Sequence, residues 1–319
     1  MDPSDSTLRG SLDTIFRAQS ARLRSLAYRL TGTREDAEDV VQDAFSRLIK
    51  ESTVCRGRDL ERLLVRVVTN LAIDALRRRR RRRYTGAWLP EPLPARADAD
   101  PDARFASATD TDPEARYGMR ESATLAFQVA LEALTPRQRA VVVLGDVLGM
   151  SSAEVGEALG LSPGNVRVVH HRARRALDVY DRSRVPWTPE RRVRHEAALV
   201  EFMKAVEAGD EIALRALLAE QVETRTDANG EFTALRESLV GRSRVTRLYV
   251  AAARHRREAG MSIRFVELSW LPAASIRLDR PARSQAPHTV MSVVLDGDRR
   301  IAQVFAISAP RKLARLAAL

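Results

Sequence analysis

Seven consecutive arginines, Arg77 to Arg83, close an apolar-periodic stretch and are followed at once by "YTGAWLPEP" (residues 84–92). No fold can bury that much like charge in one place, so the run must lie on a surface or against a polyanion. Pro90, Pro92 and Pro94 then stop any regular element, so the chain is cut here into a block before and a block after. The next prolines, Pro101 and Pro113, fall among Glu91, Asp98, Asp100, Asp102, Asp110, Asp112 and Glu114, and this stretch reads as an acidic linker. Pro186 and Pro189 mark a second, shorter joint. The expected organisation is a helical domain at 10–84, a linker at 85–120, a second helical domain at 121–180 and a different domain at 190–319. A chain of 319 residues is long enough for this.

The charge balance agrees with the run. Lys and Arg number 53 against 42 Asp and Glu, giving a formal net charge of +11. A basic excess of this kind suits nucleic acid or an anionic membrane surface. No apolar run is long enough to span a bilayer and the polar N-terminus has no signal-peptide character, so a membrane partner is not expected and a cytoplasmic location is. Cys55 is the single cysteine, which excludes an internal disulfide.

In "TREDAEDVVQDAFSRLI", Ala37, Val40, Val41, Ala44, Phe45 and Leu48 recur at helical spacing and predict one buried face. Thr33 and Asp36 have the form of an N-terminal cap. Asp39, Gln42, Asp43 and Ser46 fall on the outer face. In the following helix, Leu60, Leu64, Val67, Leu71 and Ala75 make the expected apolar stripe, and Arg66, Asn70 and Asp74 share another face at spacing four. From 56 to 84 there are eleven arginines and three acids, more cations than a helix C-terminus needs. Such a helix can follow phosphates, while Asn70 and Asp74 can read base edges.

"SSAEVGEALGLSPGNVRVVHHRARRALD" predicts a short helix at 152–160, a turn, and a second helix with Ser162 as N-cap and Pro163 in its first turn. Val166, Val169, Ala173 and Leu177 are expected inward, with Arg167, His171, Arg172 and Arg174 outward. This is the pattern of a helix-turn-helix whose second helix enters the major groove. His170 and His171 are neighbours on one helix and do not share a metal readily. Beyond residue 190 the pattern predicts helices and then strands in "MSIRFVELSW", "HTVMSVVLDG" and "RRIAQVFAIS", the last two joined by an Asp296-Gly297 hairpin. His195, His255 and His288 show no acid–base pairing by spacing, so no catalytic residue, cofactor or metal is expected.

Together these stretches resemble the extracytoplasmic-function (ECF) sigma factors of bacterial RNA polymerase, over residues 10–180. The first quoted helix is similar to their region 2.2, which grips the polymerase clamp. "LLVRVVTNLAIDALRRRRR" is similar to regions 2.3 and 2.4, which melt and read the −10 element. "LTPRQRAVVVLGDVLGMSSAEVGEALGLSPGNVRVVHHRARRAL" is similar to region 4, which reads the −35 element. The resemblance implies polymerase binding by Asp39, Gln42, Asp43 and Ser46. It implies −10 contacts by Arg66, Asn70, Asp74, Arg77 and Arg78, and −35 contacts by Arg167, His171, Arg172 and Arg174. Val168-Val169 departs from the Ser-Arg usual in this family.

"YTGAWLPEP" resembles the linker motif of a sigma subgroup with a fused SnoaL-like domain. "EFMKAVEAGDEIALRALLAEQVE" resembles the opening helices of that domain. "DANGEF" stands where the subgroup has Asp-Gly-Gly-Gly-Lys, and "SAPRKL" where it has Asn-Pro-x-Lys-Leu. The implied architecture is multidomain: two all-α sigma domains and a C-terminal α+β SnoaL-like cone. Trp88, Leu89, Pro90, Asp227, Asn229 and Gly230 are the implied interdomain contacts. The implied partners are core RNA polymerase and promoter double-stranded DNA. The competing reading is a helix-turn-helix regulator whose C-terminal domain binds a small-molecule ligand.

Overall fold

A computed structural model describes residues 19–50, 58–81, 84–94, 117, 119–184 and 188–316. Cys55, Arg82, Arg83, Pro186 and the acidic cluster Asp98 to Glu114 lie outside the described residues. The chain divides into two compact units. The first comprises Met1–Arg82, Arg96–Ala123 and Ala130–Asp178; the second comprises Arg83–Ala95, Thr124–Val129 and Val179–Leu319.

The first unit is helical. Helix α1 is described over 19–31, and α2 runs Arg34–Lys50, α3 Arg58–Arg81 and α4 Met119–Ser122. The amide of Asp36 donates to Thr33 Oγ1 at 3.2 Å, so α2 begins with the expected cap. Ala37, Val40, Val41, Ala44, Phe45 and Leu48 are all buried. The buried surface of α3 is wider than its expected stripe. Leu60, Leu64 and Leu71 are buried, joined by Val68, Thr69, Ala72, Ile73 and Leu76, while Val67 and Ala75 are half-buried. The cause is that α3 packs on three helices: α2, α6 (Pro136–Val142) and α7 (Ser152–Leu159). A single amphipathic stripe serves one neighbour only.

Between α6 and α7 lies a π-helical turn, Val143–Val147. Ser151 caps α7 in a box with Glu154, and Gly160 ends it at φ 65°. A Cβ on Gly156 would come 2.5 Å from the Leu161 carbonyl oxygen, so the tight turn into α8 (Pro163–Ser183) needs glycine there. Ser162 caps α8, its Oγ accepting from the Asn165 amide at 3.3 Å.

The second unit is α+β. A short helix α5 (Leu125–Ala130) contributes to it, followed in chain order by α9 (Pro189–Ala208), α10 (Glu211–Leu217), β1 (Leu218–Asp227), β2 (Leu239–Val240), α11 (Arg242–Ala259), β3 (Met261–Leu268), β4 (Leu271–Leu278), β5 (His288–Leu295), β6 (Ile301–Ile307) and α12 (Pro310–Leu313). The sheet order is β2-β1-β6-β5-β4-β3. Only the β1–β6 pair is parallel. The helical reading of "LRALLAEQVE" holds only to Leu217. From Leu218 the chain pairs with β6, so tertiary pairing overrides a helix-forming composition. Strand β4, "LPAASIRL", was not legible either, because both its faces are covered and alternation disappears.

Alternate residues feed two cores. Ala274, Ile276, Met291, Val293, Val304 and Ala306 point to the helices, meeting Leu199, Phe202, Val206, Leu214 and Tyr249. Ala273, Val290, Phe305 and Ile307 point the other way, meeting Leu125, Val129, Leu313, Leu316 and the linker residue Leu89.

Candidate nucleic-acid interface and linker dock

On α2, Asp39, Gln42, Asp43 and Ser46 are all exposed, opposite its buried face. On α3, Arg66, Asn70, Asp74, Arg77 and Arg78 are exposed too. They are not all idle. Asn70 Nδ2 donates to the Arg66 carbonyl at 2.9 Å and to the Ala158 carbonyl of α7 at 3.3 Å. Arg77 pairs with Asp74 at 3.0 Å. A cavity of about 440 Å³ opens beside Arg66 and Ala158, lined also by Arg62, Glu154 and Glu157.

The arginine run is divided between two tasks. Arg78 and Arg81 stay exposed. Arg79 instead donates to the Thr31 carbonyl at 2.7 Å and to Glu132 Oε2 at 2.5 Å. Glu132 also accepts from the buried Arg139 at 2.6 Å. Arg80 donates to the Leu134 carbonyl. Burial alone would raise the Glu132 carboxyl, but the guanidiniums of Arg139 and Arg79 hold it below the usual carboxylate range.

On α8, Arg167, His171 and Arg172 are exposed and Arg174 is half-buried. Arg174 Nη2 lies 2.8 Å from Asp146 Oδ1 on the π-helical turn, and His170 Nε2 lies 2.8 Å from the same oxygen. Burial opposes ionisation of Asp146, yet the hydrogen bonds of His170 and Arg174 keep its pKa lowered. This pair anchors α8 to the π-helical turn, a role the spacing of Arg174 did not announce.

In the second unit, the linker is clasped by a buried ion pair. Lys312 Nζ sits 2.6 Å from Asp227 Oδ2; Asp227 is 0% exposed and Lys312 8%. The Leu89 amide donates to Asp227 Oδ2 at 2.8 Å, the Leu89 carbonyl accepts from Lys312, and the Tyr84 hydroxyl bonds Asp227 Oδ1. Lys312 Nζ also lies 4.3 Å from the centroid of the Trp88 ring, a cation–π contact. Pro90 is buried. Further along, the Leu93 amide donates to Ser269 Oγ at 3.0 Å and its carbonyl accepts from the Ser269 amide at 2.6 Å. The Asn229 amide donates to Asp227 Oδ1 at 3.2 Å. Gly230, at φ 75°, sits where a Cβ would approach Thr85 to 2.9 Å. Leu89 and Asp227 thus meet directly, Trp88 joins them through Lys312, and Asn229 and Gly230 shape the loop beside them. Tyr84, Ser269 and Lys312 complete the dock. Of these, Tyr84 and Lys312 had a sequence signal, as the tyrosine of "YTGAWLPEP" and the lysine of "SAPRKL", and Ser269 had none.

Two histidines of this unit, His195 and His288, are occupied by structure, and the His255 side chain lies outside the described residues. His195 Nδ1 lies 2.9 Å from the Arg191 carbonyl and Nε2 accepts from the Leu295 amide at 3.4 Å. His288 Nε2 lies 2.9 Å from Ser275 Oγ. Burial, then the Arg277 charge, lowers the His288 pKa. Among the described residues there is no cluster of three or more His, Cys, Asp or Glu able to hold a metal, and no helix long and apolar enough to cross a membrane.

Comparison with known proteins identifies the regions that carry these helices. Residues 15–82 match Sigma-70 region 2, and residues 124–177 match Sigma-70, region 4. The chain is 37% identical over 234 residues to the ECF RNA polymerase sigma factor SigJ of Mycobacterium tuberculosis, covering 73% of this chain and 70% of that protein. It is 36% identical to SigG of the same organism, covering 66% of this chain and 59% of that one. The crystal structure of Mycobacterium tuberculosis SigJ aligns with a TM-score of 0.72 at 29% identity, over 95% of this chain and 98% of that one. Paired sigma regions joined to a C-terminal α+β cone place this chain in the extracytoplasmic-function sigma factors of bacterial RNA polymerase, which direct promoter recognition and transcription initiation.

Proposed function

We propose that this sigma factor divides its work among three surfaces and regulates itself through the docked linker. The exposed face of α2 binds core polymerase through Asp39, Gln42, Asp43 and Ser46. Arg66, Asn70, Asp74, Arg77 and Arg78 meet the −10 element, and Arg167, His171 and Arg172 the −35 element. Arg174 acts by holding α8 through Asp146. Because the Asn70 Nδ2 donates to the Arg66 and Ala158 carbonyls, donating to a −10 base requires one of those bonds to be exchanged.

The observation that carries the regulatory part is the Lys312–Asp227 pair enclosing the Leu89 backbone. The linker connects the two DNA-reading regions in sequence, so a cone that holds it also limits how those regions can be arranged. A non-catalytic cone fits this role: His195 spends both ring nitrogens on backbone groups, and the Ser275–His288 pair has Arg277 beside it in place of a carboxylate. The same assignments imply work in the cytoplasm on core polymerase and promoter duplex.

Two measurements test the surfaces. Reversing Asp39 and Asp43 to lysine is expected to weaken core binding at least about tenfold, roughly 1.4 kcal/mol. The fold should persist, since exposed changes cost within about 0.5 kcal/mol each. Unchanged co-purification with core would remove α2 from the polymerase interface. Trp88→Ala removes a contact worth about 0.5–2 kcal/mol, which shifts the docked-to-released ratio of the linker about fivefold. Run-off transcription should then differ from that of the unaltered chain while core binding stays the same. Equal transcript yields would leave the cone a passenger.

A further inference from the structure

The recognition helix presents an apolar side chain at the centre of its outward face. Val166, Ala173 and Leu177 are buried. At about 100° per residue, Val168 lies on the opposite side of α8 from all three. It is 50% exposed, in the N-terminal half of the helix, where base edges are met. One turn before it stands Gly164, which has no side chain to screen it, and one and two turns after it stand Arg172 and Arg175, both exposed. Arg167 is exposed beside it. Three guanidiniums therefore surround a patch that can neither donate nor accept a hydrogen bond.

In the major groove only one base offers an apolar group, the C5-methyl of thymine. The arginines bring the helix to the polyanion and can take phosphates or guanine edges, but Val168 contributes only shape and apolar contact. We propose that Val168 is a specificity-determining residue that selects thymine at one position of the −35 element by packing on its methyl group. This rests on α8 being the −35 reader. Where a serine would accept any base through a rotatable hydroxyl, valine gains from a methyl and leaves a polar base edge without a partner. The opposite expectation, a surface valine exposed with no consequence, predicts no response to the methyl group at all.

The test uses holoenzyme assembled from core polymerase and the full chain. Its preferred −35 sequence is selected from a duplex library randomised across that segment. Each selected thymine is then replaced by uracil, which removes the methyl group and nothing else. At one position the unaltered chain should bind the uracil duplex about fourfold more weakly, the loss of one buried carbon. Val168→Ala, at an exposed site, should fold normally by thermal unfolding and bind the two duplexes equally at that position. If no uracil replacement weakens binding, or if Val168→Ala keeps the full difference, the proposal is overturned. Failure to select any −35 sequence would instead overturn the assignment of α8, a distinguishable result.

Discussion

Lys312→Met is expected to cost the second unit about 3–5 kcal/mol, because it removes the cation from a fully buried carboxylate while keeping the apolar stem. Asp227 would retain the Tyr84 hydroxyl and the Leu89 and Asn229 amides, but no opposite charge. The Leu89 carbonyl and the Trp88 ring would each lose the lysine contact in the same step. Amide exchange of residues 84–94 in the full chain reads the effect directly, and it does not require the two units to unfold together. Protection there should fall well below that of the unaltered chain. Asp227→Asn combined with Lys312→Met should restore part of it, since a neutral pair leaves no buried charge uncompensated. Exchange unchanged in the single variant would mean that Leu89 in its apolar pocket, and not the ion pair, holds the linker.

The residues of this dock show where sequence reading stops. Trp88 and Asp227 stand out as an unusual linker aromatic and a carboxylate beside a glycine, but what joins them is Lys312, 85 residues from Asp227 and 223 from Leu89. No periodicity encodes a partner at that separation. The same limit applies to Arg174. Its position on α8 matches an outward residue, and only the π-helical turn that carries Asp146 explains why its half-buried guanidinium is also paired within the unit. By contrast, α2 was legible nearly residue by residue, because one face is buried against its neighbours and its cap is local. The helix-turn-helix was legible for the same reason: Ser151, Gly160 and Ser162 act within a few residues of themselves. Strand β1 was hidden by a run of helix formers whose fate is decided by β6, over seventy positions away in sequence, through the register Glu223 to Gln303.

The arginine run poses the sharpest energetic question, because part of it is not available to DNA while Glu132 is in place. Glu132 accepts from both Arg79 and Arg139, and the Arg139 side chain is 2% exposed. Glu132→Gln keeps the shape but leaves two guanidiniums facing each other with only a neutral amide between them. The expected loss is about 3 kcal/mol from the first unit, at the lower end of the range for breaking a buried pair because the Glu132 side chain is itself 22% exposed. The same pair should make stability depend on pH. A carboxyl whose folded pKa is held below its unfolded value of about 4.3 contributes above that value and loses its contribution as pH falls through the folded pKa. Unfolding midpoints in urea, taken between neutral and acid pH, should therefore fall more steeply for the unaltered chain than for Glu132→Gln. Arg79→Ala removes one cation and leaves Glu132 paired with Arg139, so it should cost less than Glu132→Gln. If Arg79→Ala costs as much, the Thr31 carbonyl bond carries the contact instead. Equal midpoints for all three proteins would show that the Glu132 contacts of Arg79 contribute nothing to the fold.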